Sequence, residues 1–285
     1  MIKYSGRIFT AKELDLIRKI IKNNPEMRRA WLSREVCRQL DWRKPDGGLK
    51  DMRCRAVMIQ MQTDGLIKLP APMSKFIANR KAIKYTERTN PRDKITSRID
   101  LIGDVFLKLV DKTTTSLWNE YIDRYHYLGF KKLPGAQLRY LAYIGGQIVA
   151  CLGFGAAAWK TTPRDNWIGW SEEQKKRNLH LVINNARFLI LPWIQSKNMA
   201  SKLLSMVAQR LPNDWQERYN YEPVLLETFV DTERFTGTCY KASNWIEVGK
   251  TKGRGRNDRY NKYALPIKNI LLFPMKKDFR KILFS

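Results

Sequence analysis

The chain has 285 residues, with 53 Lys and Arg against 27 Asp and Glu, a formal net charge of +26. That excess goes beyond what solubility needs and predicts a polyanionic partner, double-stranded DNA before any membrane surface. A composition that is 44% hydrophobic and 11% aromatic excludes global disorder and supports a sizeable core.

The first segment runs to about Pro72. Leu14, Ile17, Ile20 and Ile21 recur at helical spacing, with Thr10 as N-cap and Glu13 three residues on, and Asn23-Asn24-Pro25 ends that helix. Ser33 is the predicted cap of a second helix from Arg34 to Leu40. A third helix is predicted over Leu49 to Thr63, with Met52, Ala56, Ile59 and Met61 turned inward. Leu66 to Pro70 reads as a short strand after Gly65. Three helices and a strand suit a winged helix-turn-helix over 1–72, with Lys50, Arg53 and Arg55 on the groove-reading helix. A helical cap with a solvated basic face is the alternative. Residues 73–98 are basic and poorly periodic, and read as a linker or an arm lying along phosphates.

The third region, 99–285, opens with an apolar run, Ile102 to Leu109, that suits a strand or a helix. A helix follows over Thr115 to Tyr125 and ends at Tyr125-His126-Tyr127-Leu128-Gly129. Gln137 to Ile144 and Gln147 to Phe154 flank Gly145-Gly146, a hairpin signal. Trp167 and Trp170 follow a run of small residues and are candidates either to stack a base or to pack the domain. Ser171 to Leu181 is a polar helix, and Asn184 to Ile190 a strand whose period of two puts Asn185 and Arg187 on one face. Asn198 to Leu211 is the next helix.

The stretch from Pro223 to Thr251 organises the region. An apolar strand, Val224 to Val230, ends at Asp231. A short helix spans Gly237 to Ser243, and Asn244-Trp245 leads into a strand from Ile246 to Gly249. Acids and aromatics gathered at strand ends point to a site there. The rest of the region carries a basic C-terminal segment, with Lys250, Arg254 and Arg256 as DNA-contact candidates. Cys37, Cys54, Cys151 and Cys239 are scattered, and only His126 and His180 are histidines. That pattern predicts neither a structural zinc site nor a disulfide framework. No stretch is long and apolar enough to span a bilayer, and no signal-peptide pattern opens the chain, so a cytoplasmic location is expected.

The element order, helix, hairpin, strand, helix, strand, helix, strand, resembles the GCN5-related N-acetyltransferase architecture. The expected class is therefore α/β (α+β), a mixed sheet flanked by helices. In that fold the loop [RQ]xxGx[GA] cradles the cofactor pyrophosphate, because glycines let backbone N–H groups approach phosphate. The matching place here reads Gln195-Ser196-Lys197-Asn198-Met199-Ala200-Ser201, without the glycines. The resemblance implies an acyl-CoA or related donor; the residues leave the cofactor unassigned.

Two closer resemblances rest on longer runs. RAWLSREVCRQLDWRKPDGGLKDMRCRA, YHYLG, NLHLVINNARFLILPWIQSKNMASKLLS and LLETFVDTERFTGTCYKASNWIEVGKTKGRGR are similar to the DruA family of the Druantia anti-phage systems, over nearly the whole chain. That implies a bacterial defence or mobile-element context, with other defence or transposition proteins as partners, and supplies no chemistry by itself. The second half also resembles the phage Mom proteins, acetyltransferase-fold enzymes that modify adenine in DNA. Their pattern is met by His126 and Tyr127, by Arg187, by Ser201, and by Asp231 with Gly237, Thr238, Tyr240, Asn244 and Trp245.

This resemblance implies a DNA-modifying enzyme. Tyr240 or His126 would move a proton and Asp231 would orient or accept one. Arg187 and Ser201, beside Asn185, would hold the donor or a phosphate, and Trp167 or Trp170 would stack an extruded base. Two alternatives stand beside it. One is a metal-dependent nuclease using Glu227 and Asp231, which share a strand face. The other is a non-catalytic DNA binder that recruits a helicase or transposase.

Overall fold

A computed structural model describes residues 2–72, 82–98, 103–253 and 265–285. They divide into two units at residue 81.

The first unit opens with a hairpin the sequence did not signal, β1 (Ile2–Tyr4) against β2 (Arg7–Phe9). Helix α1 (Ala11–Asn23) starts at the expected capping box, Thr10 with Glu13, and buries Leu14, Ile17, Ile20 and Ile21. Helix α2 (Arg29–Gln39) begins a turn earlier than predicted, so Ser33 is not its cap. The Ser33 hydroxyl lies inside the helix and donates to the Ala30 carbonyl at 3.0 Å.

Helix α3 (Asp51–Thr63) is rotated relative to expectation. It buries Cys54, Val57, Met58 and Met61, while Met52 and Ile59 are 71% and 43% exposed. Two apolar stripes run along this helix at helical spacing, and periodicity alone does not say which one packs. Arg53 lies on the exposed side, and Arg55 pairs with Asp51 at 3.5 Å. The strand expected at Leu66 to Pro70 is not there. The Leu69 N–H is taken by the Gln62 side chain at 2.9 Å, so this stretch pairs with no neighbouring strand. The two-stranded element of this unit precedes its helices; the wing predicted after the third helix does not form.

The second unit is a seven-stranded mixed sheet. Its strands are β3 (Val105–Leu109), β4 (Gln137–Ile144), β5 (Gln147–Ala156), β6 (Val182–Ile190), β7 (Leu225–Asp231), β8 (Ile246–Lys250) and β9 (Lys268–Pro274). They lie in the order β3-β4-β5-β6-β7-β9-β8, antiparallel except for the β6–β7 pair. The β4–β5 turn forms as predicted: Ile144 faces Gln147, and Gly145 and Gly146 both take positive φ, 53° and 79°.

Helices cover both faces, so the central strands β5 and β7 are buried on two sides. Ile183, Leu226 and Leu271 belong to one core cluster, which includes α7 (Met199–Tyr219). Their neighbours Val182, Leu225 and Ile270 belong to another, with residues of α5 (Thr162–Ile168) and α9 (Phe279–Phe284). Helix α7 runs through Pro212 to Tyr219, beyond the end expected at Leu211. On the α5 side lie also α4 (Thr115–Tyr125) and α6 (Glu172–Asn178), the latter capped by Ser171 and Gln174. No helix among the described residues is long and apolar enough to cross a membrane.

The described part of the expected basic arm, 82–98, is packed on this unit. Glu120 of α4 is buried and accepts from the Thr89 hydroxyl at 2.5 Å and from the Thr86 N–H. Tyr121 and Tyr125 donate to the carbonyls of Arg88 and Thr89 at 2.9 and 2.7 Å. Ile95 bridges the loop before α7, donating to the Trp193 carbonyl and accepting from the Gln195 N–H at 2.8 Å. Polar composition hid this strap, because its anchors are hydroxyls and backbone groups on a buried carboxylate.

Candidate active site

The site is set by an irregularity in β6. Gly153 of β5 faces Arg187 and Phe154 faces Asn185, which leaves Ala186 as one extra residue, a β-bulge. Consecutive residues of β5 point to opposite sides. The bulge therefore places Asn185 and Arg187 on opposite faces of the sheet, not on the shared face that a strict period of two predicts. Gly153 has a specific purpose here. A Cβ on it would stand 3.0 Å from Trp118 of α4 and 3.3 Å from the Arg187 Cβ.

Beyond Asn184 and Glu227 the β6–β7 pairing stops. On the α7 side the gap is closed by side chains. Tyr240, in the short helix α8 (Thr238–Lys241), donates to the Asn185 Oδ1 at 2.7 Å, and Thr228 donates to the Asn185 carbonyl at 3.2 Å. The Asn185 amide fills bonds lost at the bulge, reaching the Arg187 carbonyl at 3.1 Å. Burial raises the Tyr240 pKa. Its proton is held and already committed, so Tyr240 ties the two strands rather than standing free as an acid. Trp245 packs edge-on against it at 5.0 Å, and Asn244 takes the left-handed turn that ends α8, at φ 62°.

The opening of α7 lies on this same side. Asn198 sits at φ 65°, ψ 2°, the conformation glycine would supply, and Asn tolerates it better than most residues. The Ser196 Oγ is buried without a partner, and the Ser201 hydroxyl donates to the Asn198 carbonyl at 3.1 Å. The loop thus makes its left-handed turn without glycine and leaves one buried hydroxyl, Ser196, without a partner among the described residues.

On the α4 side, Arg187 is 8% exposed. Its Nη1 donates to the Ala186 carbonyl at 2.7 Å, and its Nε has no partner. Among the described residues no carboxylate pairs with it. Burial lowers its pKa, against only a weak opposing effect from Tyr127. His126 ends α4, and burial, then the Arg187 charge, pushes its pKa down to about 4. Its Nδ1 accepts from the Leu128 N–H at 3.2 Å. The neutral imidazole thus carries its proton on Nε2 and offers a donor there.

Asp231 ends β7 at 2% exposure, accepts from the Glu233 N–H at 3.2 Å and lies 3.9 Å from Arg234. Burial, then the Asp231 charge, raises the Tyr127 pKa. Two residues missed in the sequence join here. Phe235, 51% exposed, lies 5.5 Å from the Tyr127 ring, and Arg234 stands 5.3 Å over it. Their only sequence signal was position, directly after the acid that ends the strand.

Other predicted residues lie elsewhere. Trp167 stacks on Phe279 at 5.4 Å, and Trp170 is buried with its Nε1 on Asp165 at 3.3 Å, so both join α5 to the rest of the core. Glu227 is fully buried. Its Oε1 accepts from the Ala158 N–H at 2.9 Å and its Oε2 from Arg164 at 2.8 Å. It does share a face with Asp231, but both its oxygens are used, so the pair is not open to a divalent ion. No group of three or more metal-ligating side chains occurs among the described residues. Lys250 is exposed at the end of β8, and Arg254 and Arg256 lie outside the described residues.

A hairpin, a bulged central strand, a long helix and a parallel neighbour that splays away define a GCN5-related acetyltransferase-like fold, as the sequence predicted. Solved structures with this outline include aminoglycoside acetyltransferase AAC(6')-Ib in complex with coenzyme A, 15% identical with a TM-score of 0.41, covering 60% of this chain and 95% of that one. A chimaeric spermidine N-acetyltransferase from Vibrio cholerae and hSSAT is 10% identical at a TM-score of 0.39, covering 60% and 95%. A GNAT-family acetyltransferase from Streptococcus pneumoniae is 9% identical at 0.39, covering 61% and 100%. At such values no residue role transfers. The chain belongs to the family described as Druantia protein DruA, which it matches over residues 60–269. No curated protein matches it.

Proposed function

We propose that this protein is a DNA-acting transferase of a bacterial anti-phage or mobile-element system, modifying a base through its acetyltransferase-like core. The observation that carries the reading is Arg187. A buried guanidinium with an orphan Nε and no acid partner is costly unless an anionic ligand completes it. Beside it stand a neutral His126 offering Nε2–H and a carboxylate, Asp231. That set can hold an anion, polarise an acceptor and take a proton.

In this reading Arg187 holds a phosphate of the nucleic acid. Asp231 accepts the proton of the nucleophilic amine, and His126 donates a hydrogen bond rather than acting as the base. Tyr127, Phe235 and Arg234 present stacking surface to a base extruded from duplex, an extrusion that costs a few kcal/mol. At the opening of α7, Ser196, Asn198 and Ser201 would hold an acyl-CoA-type donor; the amine would form a C–N bond to its acyl carbon, the thioester C–S bond would break, and the CoA thiolate would leave and take a proton from solvent. The charge of +26 and the exposed Arg53 of α3 support duplex binding, with affinity falling roughly 10³-fold or more between low and moderate salt.

The test is nucleoside mass spectrometry of DNA incubated with the protein and cell extract. Wild type should yield a mass-shifted nucleoside, and Asp231→Asn and Arg187→Met should not, with duplex affinity kept in Asp231→Asn. An unshifted digest with wild type, or an undiminished product with both variants, removes the reading.

A further inference from the structure

At the opposite end of the sheet from Asp231, where β4 begins, lies a cavity of about 240 Å³ lined in part by Gln137, Arg139, Arg218 and Tyr219. Two elements bring two arginines to its wall, Arg139 from β4 and Arg218 from the last turn of α7. Neither was marked by the sequence, and neither takes part in the site around Arg187.

Arg139 is held in place. Its Nη1 donates to the Asn119 Oδ1 at 3.0 Å, its Nη2 to the Thr115 hydroxyl at 3.2 Å, and it lies 5.2 Å over the Trp118 ring. Arg218 stands 5.9 Å from the Tyr219 ring. The Tyr219 hydroxyl accepts from the Gln137 N–H at 2.8 Å and donates to the Gln137 carbonyl at 2.9 Å, which fixes that wall. Among the described residues no Asp or Glu lines the cavity and neither arginine has an acid partner. Burial and the nearby Arg218 charge both lower the Arg139 pKa. Two cations that repel each other across an acid-free cavity are relieved by an anion between them.

We infer that this cavity binds a phosphoryl group, held by the guanidinium fork of Arg218 in the field of the fixed Arg139 charge. The planar fork matches tetrahedral oxyanions in a way an ammonium does not. The volume decides the ligand's size. Whole small molecules occupy pockets of roughly 300–1,000 Å³, so this cavity takes a phosphate with little attached, not a complete nucleotide. A phosphate of a nucleic acid backbone and free inorganic phosphate share that chemistry.

Isothermal titration of the full chain at constant ionic strength separates the sources. Inorganic phosphate and a short DNA duplex are the two probes, and chloride balances the salt. Arg218 is exposed, so Arg218→Gln leaves the fold intact, whereas Arg139 also anchors α4 and is the poorer probe. Arg218→Gln should weaken phosphate binding roughly tenfold or more, with an unchanged unfolding temperature, and Arg187→Met should retain an Arg218-dependent phosphate-binding event whatever it loses at Arg187. For a backbone phosphate, Arg218→Gln also reduces the salt slope of duplex binding by about one. For free phosphate, duplex binding is unchanged. Arg218→Gln indistinguishable from wild type in both titrations overturns the inference, as does phosphate binding that is lost entirely in Arg187→Met.

Discussion

Arg164 and Arg187 are both buried on the α4–α5 side of the sheet, and they end differently. Arg164 is fully buried and every part of its fork is used. Its Nη1 reaches Glu227 and the Ala158 carbonyl, both at 2.8 Å, and its Nε and Nη2 reach Asp165 at 2.9 and 2.7 Å. Among the described residues Arg187 has one bond, to its neighbour's carbonyl, and an orphan Nε. A closed guanidinium is a structural fastener. An open one, also buried, leaves donors unused, and the proposed reading gives them an anionic ligand. Asp231 and Glu227 repeat the contrast along one strand: Glu227 is spent inside the core, and Asp231 faces the open arginine's neighbours.

The comparison breaks first at the closed pair. Glu227→Ala leaves the Arg164 charge buried with Asp165 alone and should destabilise the second unit by about 3–5 kcal/mol, read by chemical denaturation. Glu227→Ala with undiminished stability would mean that Glu227 is not a fastener and would reopen the acid pair as a metal site. At the open arginine the expectation reverses. Arg187→Met removes an uncompensated buried charge, so stability should hold or rise, while product formation falls on the order of 10²-fold. A variant that loses stability and activity together would place Arg187 with Arg164.

These contrasts explain which parts of the molecule were legible in the sequence. The Gly145-Gly146 hairpin was, because both turn residues need positive φ and only that register pairs the flanking strands. So was Asp231 at a strand end, because the apolar run stops there. The roles of Asn185 and Arg187 were half legible. Both are site residues, but one extra residue at Ala186 turns them to opposite faces, and a bulge has no composition signature. Glu227 looked like a partner of Asp231 because spacing on a strand gives the face but not the neighbour from another element. Arg164, which claims it, comes from a helix the sequence reading did not find. For Trp167 and Trp170 the sequence left stacking a base and packing the domain open, and packing is what is found: α9, from the far end of the chain, stacks on Trp167, and Trp170 joins the same core cluster.

On the α7 side, Tyr240 tests whether the gap between β6 and β7 is held by hydrogen bonds. Tyr240→Phe leaves the Asn185 Oδ1 without its donor and should destabilise by about 2 kcal/mol. Because Tyr240 ties strands, the activity loss should track local stability and be recovered at lower temperature. An activity loss of 10²-fold or more with full stability, at every temperature, would instead return Tyr240 to the role of proton donor.

The smallest effect belongs to His126, and its sign separates a buried neutral imidazole from an ion-paired one. The folded pKa is about 4 against an ordinary value of 6.5. Between those values the unfolded chain binds the proton and the folded chain does not, so stability is fully present above about pH 6.5 and is lost as pH falls toward about 4. From about pH 6.5 to about pH 5 the His126 contribution should decline by about 1.5 kcal/mol. His126→Asn should flatten that part of the stability profile and leave the region above pH 7 parallel to wild type. An anion seated on Arg187 would weaken the repulsion that helps keep His126 neutral, so phosphate should raise the His126 pKa, read by ring proton NMR shifts. If the His126 titration does not move at saturating phosphate, no anion sits beside Arg187, and the open guanidinium must be explained by something other than a ligand.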